Sequence, residues 1–217
     1  GKISLERLPS VKLKLELPEA HTRDLLPANN DIPEYFYGVV GLEMSMSGSI
    51  NTFEGITTEG SASLRSGTFN KIPVLEAIDK LLKTSRFRMF SAEEGEIDFR
   101  SGGGQFEVTR FECKSKGASA VLRGNFSYTP AITSHQIDAN SSERVGELRL
   151  RSTPDEIVGN LQLGVRPEML EGKDIAKTFF KESAEGYVWI DIPLAGSLVK
   201  ATREQQAQIL AALKDGD

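Results

Sequence analysis

The stretch GEIDFRSGGGQFEV, Gly95 to Val108, decides how the whole chain is read. Its three consecutive glycines, 102 to 104, either cradle a phosphate or turn a chain. A phosphate loop opens a helix, so that free backbone N–H groups and the helix dipole face the anion. No helical spacing follows these glycines. Ile97 and Phe99 alternate with Glu96, Asp98 and Arg100 before them, and Phe106 and Val108 continue a period of two after them. Two strands joined by a glycine turn, a β-hairpin, satisfy both flanks. Further on, Phe106 and Val108 are even-numbered while Phe111 and Cys113 are odd. One extra residue near Thr109 and Arg110 keeps all four on one face, which predicts a β-bulge there.

The same alternation recurs along the chain. VKLKLEL sets Val11, Leu13, Leu15 and Leu17 against Lys12, Lys14 and Glu16, and LEMSMSGSI sets Leu42, Met44, Met46 and Ile50 against Glu43 and three serines. ASAVLRGNFSY carries Ala118, Ala120, Leu122, Phe126 and Tyr128 on one side, with Val121 as an exception on the other. GELRLRS, GNLQLGV and YVWIDIPL contribute Leu148 and Leu150, then Leu161, Leu163 and Val165, then Val188, Ile190, Ile192 and Leu194. These are half-buried strands. Turn signals fall at Gly55, Gly60, Gly67, Gly102 to Gly104, Gly117, Pro130, Asn140 and Pro154, a spacing that suits an antiparallel meander.

Three helices are expected among the strands. NKIPVLEAIDKLLKT has Asn70 as a candidate cap, Pro73 in the first turn and a stripe of Val74, Leu75, Ile78, Leu81 and Leu82. RPEMLEGKDIAKTFFKES carries Met169, Leu170, Ile175, Phe179 and Phe180, with Gly172 weakening its first half. TREQQAQILAALKD takes Thr202 as cap and turns Ile209, Leu210 and Leu213 inward. Segment 18–38, with three prolines, reads as a long loop or short helical turns. The fold class expected is mainly β (α+β): one domain over 1–217, with a large curved antiparallel sheet of about ten strands and two or three amphipathic helices on its apolar face.

Composition narrows the function. The chain has 217 residues, 39% hydrophobic and 26% charged, with a net charge of −5. A chain of this size buries about 70% of its unfolded surface, and no apolar run approaches the roughly 18 residues of a membrane-spanning helix. The acidic balance speaks against a nucleic-acid partner recognised by one strong positive field. The single cysteine, Cys113, excludes an internal disulfide and a cysteine-based zinc cluster, and its place on an apolar face reads as an inert buried thiol. With Gly1 first and no secretory leader pattern, the sequence is expected to be a piece of a longer polypeptide.

No constellation for catalysis emerges. His21 and His135 lie outside any metal or triad spacing. Glu93, Glu94, Glu96 and Asp98 suggest a carboxylate pair or a calcium site, but adjacent strand residues point to opposite faces and no calcium-loop pattern is present, so they read as a solvated edge. Lys80, Lys83, Arg86 and Arg88 form a basic patch that suits either anionic lipid headgroups or a solvated helix end. Trp189 beside Asp191 marks a partly exposed contact surface. The reading is a non-enzyme without cofactor or metal.

An area argument gives this β surface a purpose. About ten strands at ~4.8 Å spacing and ~18 Å length present a face of roughly 860 Å². Three helices of about 12 residues cover roughly 540 Å² of it. The remainder leaves three options: the sheet curls on itself, pairs with other parts of a parent protein, or offers an apolar trough to a ligand. The trough residues are Leu13, Leu15, Met44, Met46, Ile97, Phe99, Leu122, Phe126, Leu161, Leu163, Val188 and Ile190.

The order of pieces resembles a known family. GSASLRSGTFNKIPVLEAIDKLL, then FRMFSAEEGEIDFRSGGGQFEVTRFECKSKGASAVLRGNFSY, is similar to the C-terminal region of AsmA-like proteins. A strand ending at a glycine turn (Gly67), a proline-entered helix (Pro73), an acidic strand, a glycine hairpin and a Gly124-to-Phe126 step carry the likeness over residues 40–200. The strand IPLAGSL, Ile192 to Leu198, is similar to the last family strand, although VKATRE follows it where the family has a "dPk" motif. The resemblance implies a periplasmic protein anchored in the inner membrane by a segment outside this chain. It further implies a role in outer-membrane homeostasis, phospholipid movement along a β-sheet groove in the longer relatives, and no catalytic residues; the apolar trough is then expected to contact phospholipid acyl chains or other segments of the parent protein. The alternative from residues alone is a scaffolding domain that pairs an exposed strand edge with a protein partner.

Overall fold

A computed structural model describes residues 10–25, 36–49, 55–129, 133–136, 149–152 and 156–215. The chain enters through β1 (Ser10–His21), a single helical turn α1 (Thr22–Leu25), β2 (Phe36–Ser49) and β3 (Ile56–Asn70). Helix α2 (Pro73–Leu82) follows, then β4 (Met89–Gly102), β5 (Gln105–Ser115) and β6 (Ala120–Thr129). Two short strands, β7 (Thr133–Gln136) and β8 (Arg149–Ser152), pair with each other. β9 (Glu156–Val165), α3 (Asp174–Phe179), β10 (Glu182–Ala184), β11 (Tyr187–Gly196) and α4 (Leu198–Asp215) complete the described chain.

Nine of these strands make one antiparallel sheet in the order β1-β2-β3-β4-β5-β6-β9-β11-β10. The expected mainly-β architecture, a large antiparallel sheet with few helices, is what the chain forms. The turns expected at Pro130, Asn140 and Pro154, and Leu148, lie outside the described residues.

The deciding stretch behaves as its pattern requires. β4 and β5 pair up to Gly102 opposite Gln105, and the two residues between them, Gly103 and Gly104, both take positive φ, 60° and 79°. That is the twist a two-residue hairpin needs and that side chains resist. The bulge is also present: Val108 faces Phe126 and Phe111 faces Gly124, so Thr109 and Arg110 together oppose Asn125 alone. Phe106, Val108, Phe111 and Cys113 consequently share one face.

Sheet register then lines up the apolar rows. Leu17, Leu42, Ala62, Ile97, Phe111, Gly124, Leu161 and Ile192 form one continuous row across eight strands. One end of this face is roofed by α2 and α4, which pack on each other, with α4 also against β11 and the core below them reaching from Leu64 of β3 to β11. Val74, Leu75, Ile78, Leu81 and Leu82 of α2 and Ile209 of α4 are buried there against Leu122, Leu163 and Ile190. Each of these fully buried aliphatic side chains contributes ~1.5–3 kcal/mol to folding.

Four local expectations need correction. The α2 cap is Ile72 rather than Asn70, which closes β3, while Pro73 holds the first helical position as expected. Helix α4 begins before Thr202: Ser197 Oγ accepts the Lys200 N–H at 3.2 Å, and Thr202 is buried inside the helix. The second helix is cut at Gly172 into a 3₁₀ turn (Pro167–Leu170) and α3. Gly60 and Gly67 are not turns but lie within β3, where a Cβ would fall 2.9 Å from the Phe99 ring and 2.7 Å from the Leu64 side chain. They are spaces for large neighbours.

Candidate functional site

All twelve trough residues lie on one face of the sheet, but in two different environments. Leu122, Leu163 and Ile190 are buried beneath the helices and are core. Leu13 and Leu15 are exposed, and Met44, Met46, Ile97, Phe99, Phe126, Leu161 and Val188 are half-buried. Of the half-buried set, Ile97, Phe126, Leu161 and Val188 pack against the core cluster. What remains uncovered is a strip on the β1 side of the sheet: Val11, Leu13 and Leu15 at 41%, 52% and 42% exposure, with Met44, Met46 and Phe99 beside them.

Register explains the shape of this strip. Leu15, Met44, Gly60 and Phe99 are cross-strand neighbours in one row, and Leu13, Met46, Thr58 and Ser101 form the next. The small residues of β3 leave a gap between the long side chains of β2 and β4, and Phe99 leans into it over Gly60. Its ring also stacks on Phe106, centroids 5.4 Å apart. The strip is therefore lined by flexible methionines and leucines at its open side and by aromatic rings where it meets the core. Such a surface suits a flexible apolar partner.

The opposite face is polar, and its charges on β4 and β5 are paired with one another. Glu94 meets Lys114, Glu96 and Asp98 meet Arg110 at 3.0 and 3.8 Å, and Arg100 meets Glu107 at 2.7 Å. The acidic cluster that hinted at acid/base or calcium chemistry thus stands in a ladder of cross-strand ion pairs. Glu93, the odd member, sits at a register shift and accepts the Gly117 N–H at 3.4 Å. Among the described residues no three or more His, Cys, Asp or Glu side chains converge as metal ligands would. Shallow depressions on this face are lined by Glu16, Glu43, Ser61 and Asp98, and by Ser63, Glu94 and Glu112.

Trp189 is not a contact residue. It is buried on the polar face together with Val121 and Tyr187, donates its indole N–H to the Ala184 carbonyl at 3.2 Å, and lies flat on Gly164, where a Cβ would be 2.8 Å from the ring. The Arg123 guanidinium covers it at 3.8 Å. Val121, Gly164 and Trp189 are aligned across three strands. This small second core pins β11 to β9 and β6. Cys113 is buried as expected; burial, then the neighbouring Glu112, pushes its thiol up to about 12.

No family model, curated protein or solved structure matches the chain. Among the described residues, no helix is long and apolar enough to cross a membrane.

Proposed function

We propose that the chain is a non-enzymatic module of a cell-envelope protein, and that the uncovered strip on β1, β2 and β4 is its working surface, contacting phospholipid acyl chains. The observation that carries this reading is the exposure of Val11, Leu13 and Leu15, three successive inward positions of one strand, in continuity with Met44, Met46 and Phe99. Isolated exposed leucines are ordinary, whereas a contiguous apolar strip beside a helix-roofed core is a contact site. The resemblance of residues 40–200 to AsmA-like C-terminal regions supports placing that surface in the periplasm, in a protein tied to the inner membrane by a segment outside this chain and serving outer-membrane homeostasis.

The test is native mass spectrometry of the chain after gentle purification from a bacterial envelope. Co-purifying phospholipid is expected with the wild type and is lost in a Leu13→Glu, Leu15→Glu double variant. A wild type free of lipid overturns the reading.

A second reading rests on a different observation: β1 is the 12-residue edge of the nine-stranded sheet, while the other edge, β10, has only three residues. A long edge pairs readily with another strand. It requires a lipid-free oligomer by sedimentation, with dissociation on substitution of proline at Leu13, whereas the lipid reading requires bound lipid on a monomer.

A further inference from the structure

The end of the sheet that holds the helices carries a second, chemically different concavity. The connection from α2 into β4 with the first residues of β4, Ser85 to Ser91, and residues Ser115, Lys116, Ser119 and Ala120 around the β5–β6 turn line an open hollow of about 910 Å³. Three cations line it: Arg86 and Arg88 from the first segment and Lys116 from the second. All three are exposed, and none forms an ion pair among the described residues. This contrasts with the polar face above, where Arg100, Arg110 and Lys114 are each matched to a carboxylate.

The hollow also supplies neutral donors. Ser85, Ser91, Ser115 and Ser119 line it. Ser115 Oγ accepts the Ala120 N–H at 2.8 Å and lies 3.1 Å from Ser119 Oγ. The two hydroxyls share one hydrogen bond, so one O–H remains free to donate. The backbone here is fixed rather than loose: Asp79 accepts the N–H groups of Phe87 and Arg88, and Phe87 and Phe90 are buried, so the arginines project from an anchored segment. Two carboxylates oppose these charges nearby: Asp79, which interacts with the Arg88 charge, and Glu93, which accepts the Gly117 N–H beside Lys116.

We propose that this hollow binds a phosphate group. Three cations and several hydroxyl donors match a tetrahedral anion with three or more acceptor oxygens better than a carboxylate, which one guanidinium satisfies in a bidentate pair. The phosphate belongs either to a lipid headgroup or to a free phosphate ester, and the site does not depend on the apolar strip being a lipid surface.

The experiment has two arms. In the first, the chain is titrated with glycerol 3-phosphate by calorimetry. In the second, it is sedimented with phosphatidylglycerol vesicles and with pure phosphatidylcholine vesicles at fixed ionic strength. Binding in the first arm identifies a free phosphate ester, and binding to phosphatidylglycerol vesicles alone identifies a headgroup. In either case an Arg86→Gln, Arg88→Gln, Lys116→Gln variant loses binding, about fivefold for each cation removed. A control with the same charge loss on α4, Lys200→Gln, Arg203→Gln, Lys214→Gln, keeps it. The three single variants, checked by circular dichroism, replace the triple variant if it unfolds. Failure to bind in both arms, or an equal loss in the control, overturns the proposal.

Discussion

Asp79 ties helix α2 to strand β4. It is a buried carboxylate, 5% exposed, that accepts the N–H of Phe87 at 2.8 Å and the N–H of Arg88. Burial raises its carboxyl above the ordinary range, against the pull of those two amides and of the Arg88 charge. The folded chain therefore holds this proton more tightly than the unfolded one. The group's contribution to stability falls as pH rises from the ordinary carboxylate value through the raised one, and is constant above it. An Asp79→Asn variant sets an amide N–H against a backbone N–H and loses about 1–3 kcal/mol at neutral pH. Because the variant does not titrate there, the wild type gains on it as pH is lowered across that window. Urea denaturation of both at a series of pH values reads the difference, and a gap that narrows on acidification contradicts the assignment. At Cys113, burial predicts a thiol that does not react with a disulfide reagent at pH 8 until the protein unfolds. A labelling rate well above the unfolding rate would show that the apolar face opens locally.

At the scale of elements, strands were legible because a period of two is a local signal, and the hairpin and bulge were legible because each breaks that period in a defined way. Thr109 is the residue that the β4 ladder skips, since Asp98 pairs with Arg110 and Phe99 with Val108. Deleting Thr109 makes the pairing continuous and is expected to leave the fold intact, with a shift in Tm of a few degrees. Deleting Glu112 from regular pairing sets Phe111 and Cys113 on opposite faces and unfolds the chain. Circular dichroism melts of the two deletions decide this, and equal effects contradict the bulge. Helix starts were less legible, because residue type alone cannot say which of several polar residues is positioned to cap. Ser197 caps α4 because β11 delivers it there. The burial of Trp189 was illegible for a related reason. Val121 out of pattern, Gly164 inside a strand and Trp189 among charges are separate oddities in sequence, and only the cross-strand register that aligns them makes them one core.

The whole molecule divides into a roofed half and an open half, and this division carries the functional argument. The estimate that three helices fall short of covering the sheet was available from strand counting, but where the shortfall lies was not. That depends on α2 and α4 packing together over one end of the sheet, where the core reaches Leu64 and Phe69 of β3 and Phe36 and Val40 of β2 but leaves Val11, Leu13 and Leu15 of β1 exposed and Met44 and Met46 of β2 half-buried. It also explains why the twelve trough residues, alike in sequence pattern, separate into core and surface. The same substitution should therefore have opposite consequences in the two halves. Leu163→Glu places a charge where the side chain is 0% exposed and should abolish folding. Leu13→Glu, at 52% exposure on the edge strand, should change stability by no more than about 0.5 kcal/mol while removing association through the strip. Paired denaturation curves and a binding assay on the two variants separate a fold requirement from a contact requirement. A Leu13→Glu chain that unfolds would mean that β1 is already covered in the folded protein, and the open half would no longer be open.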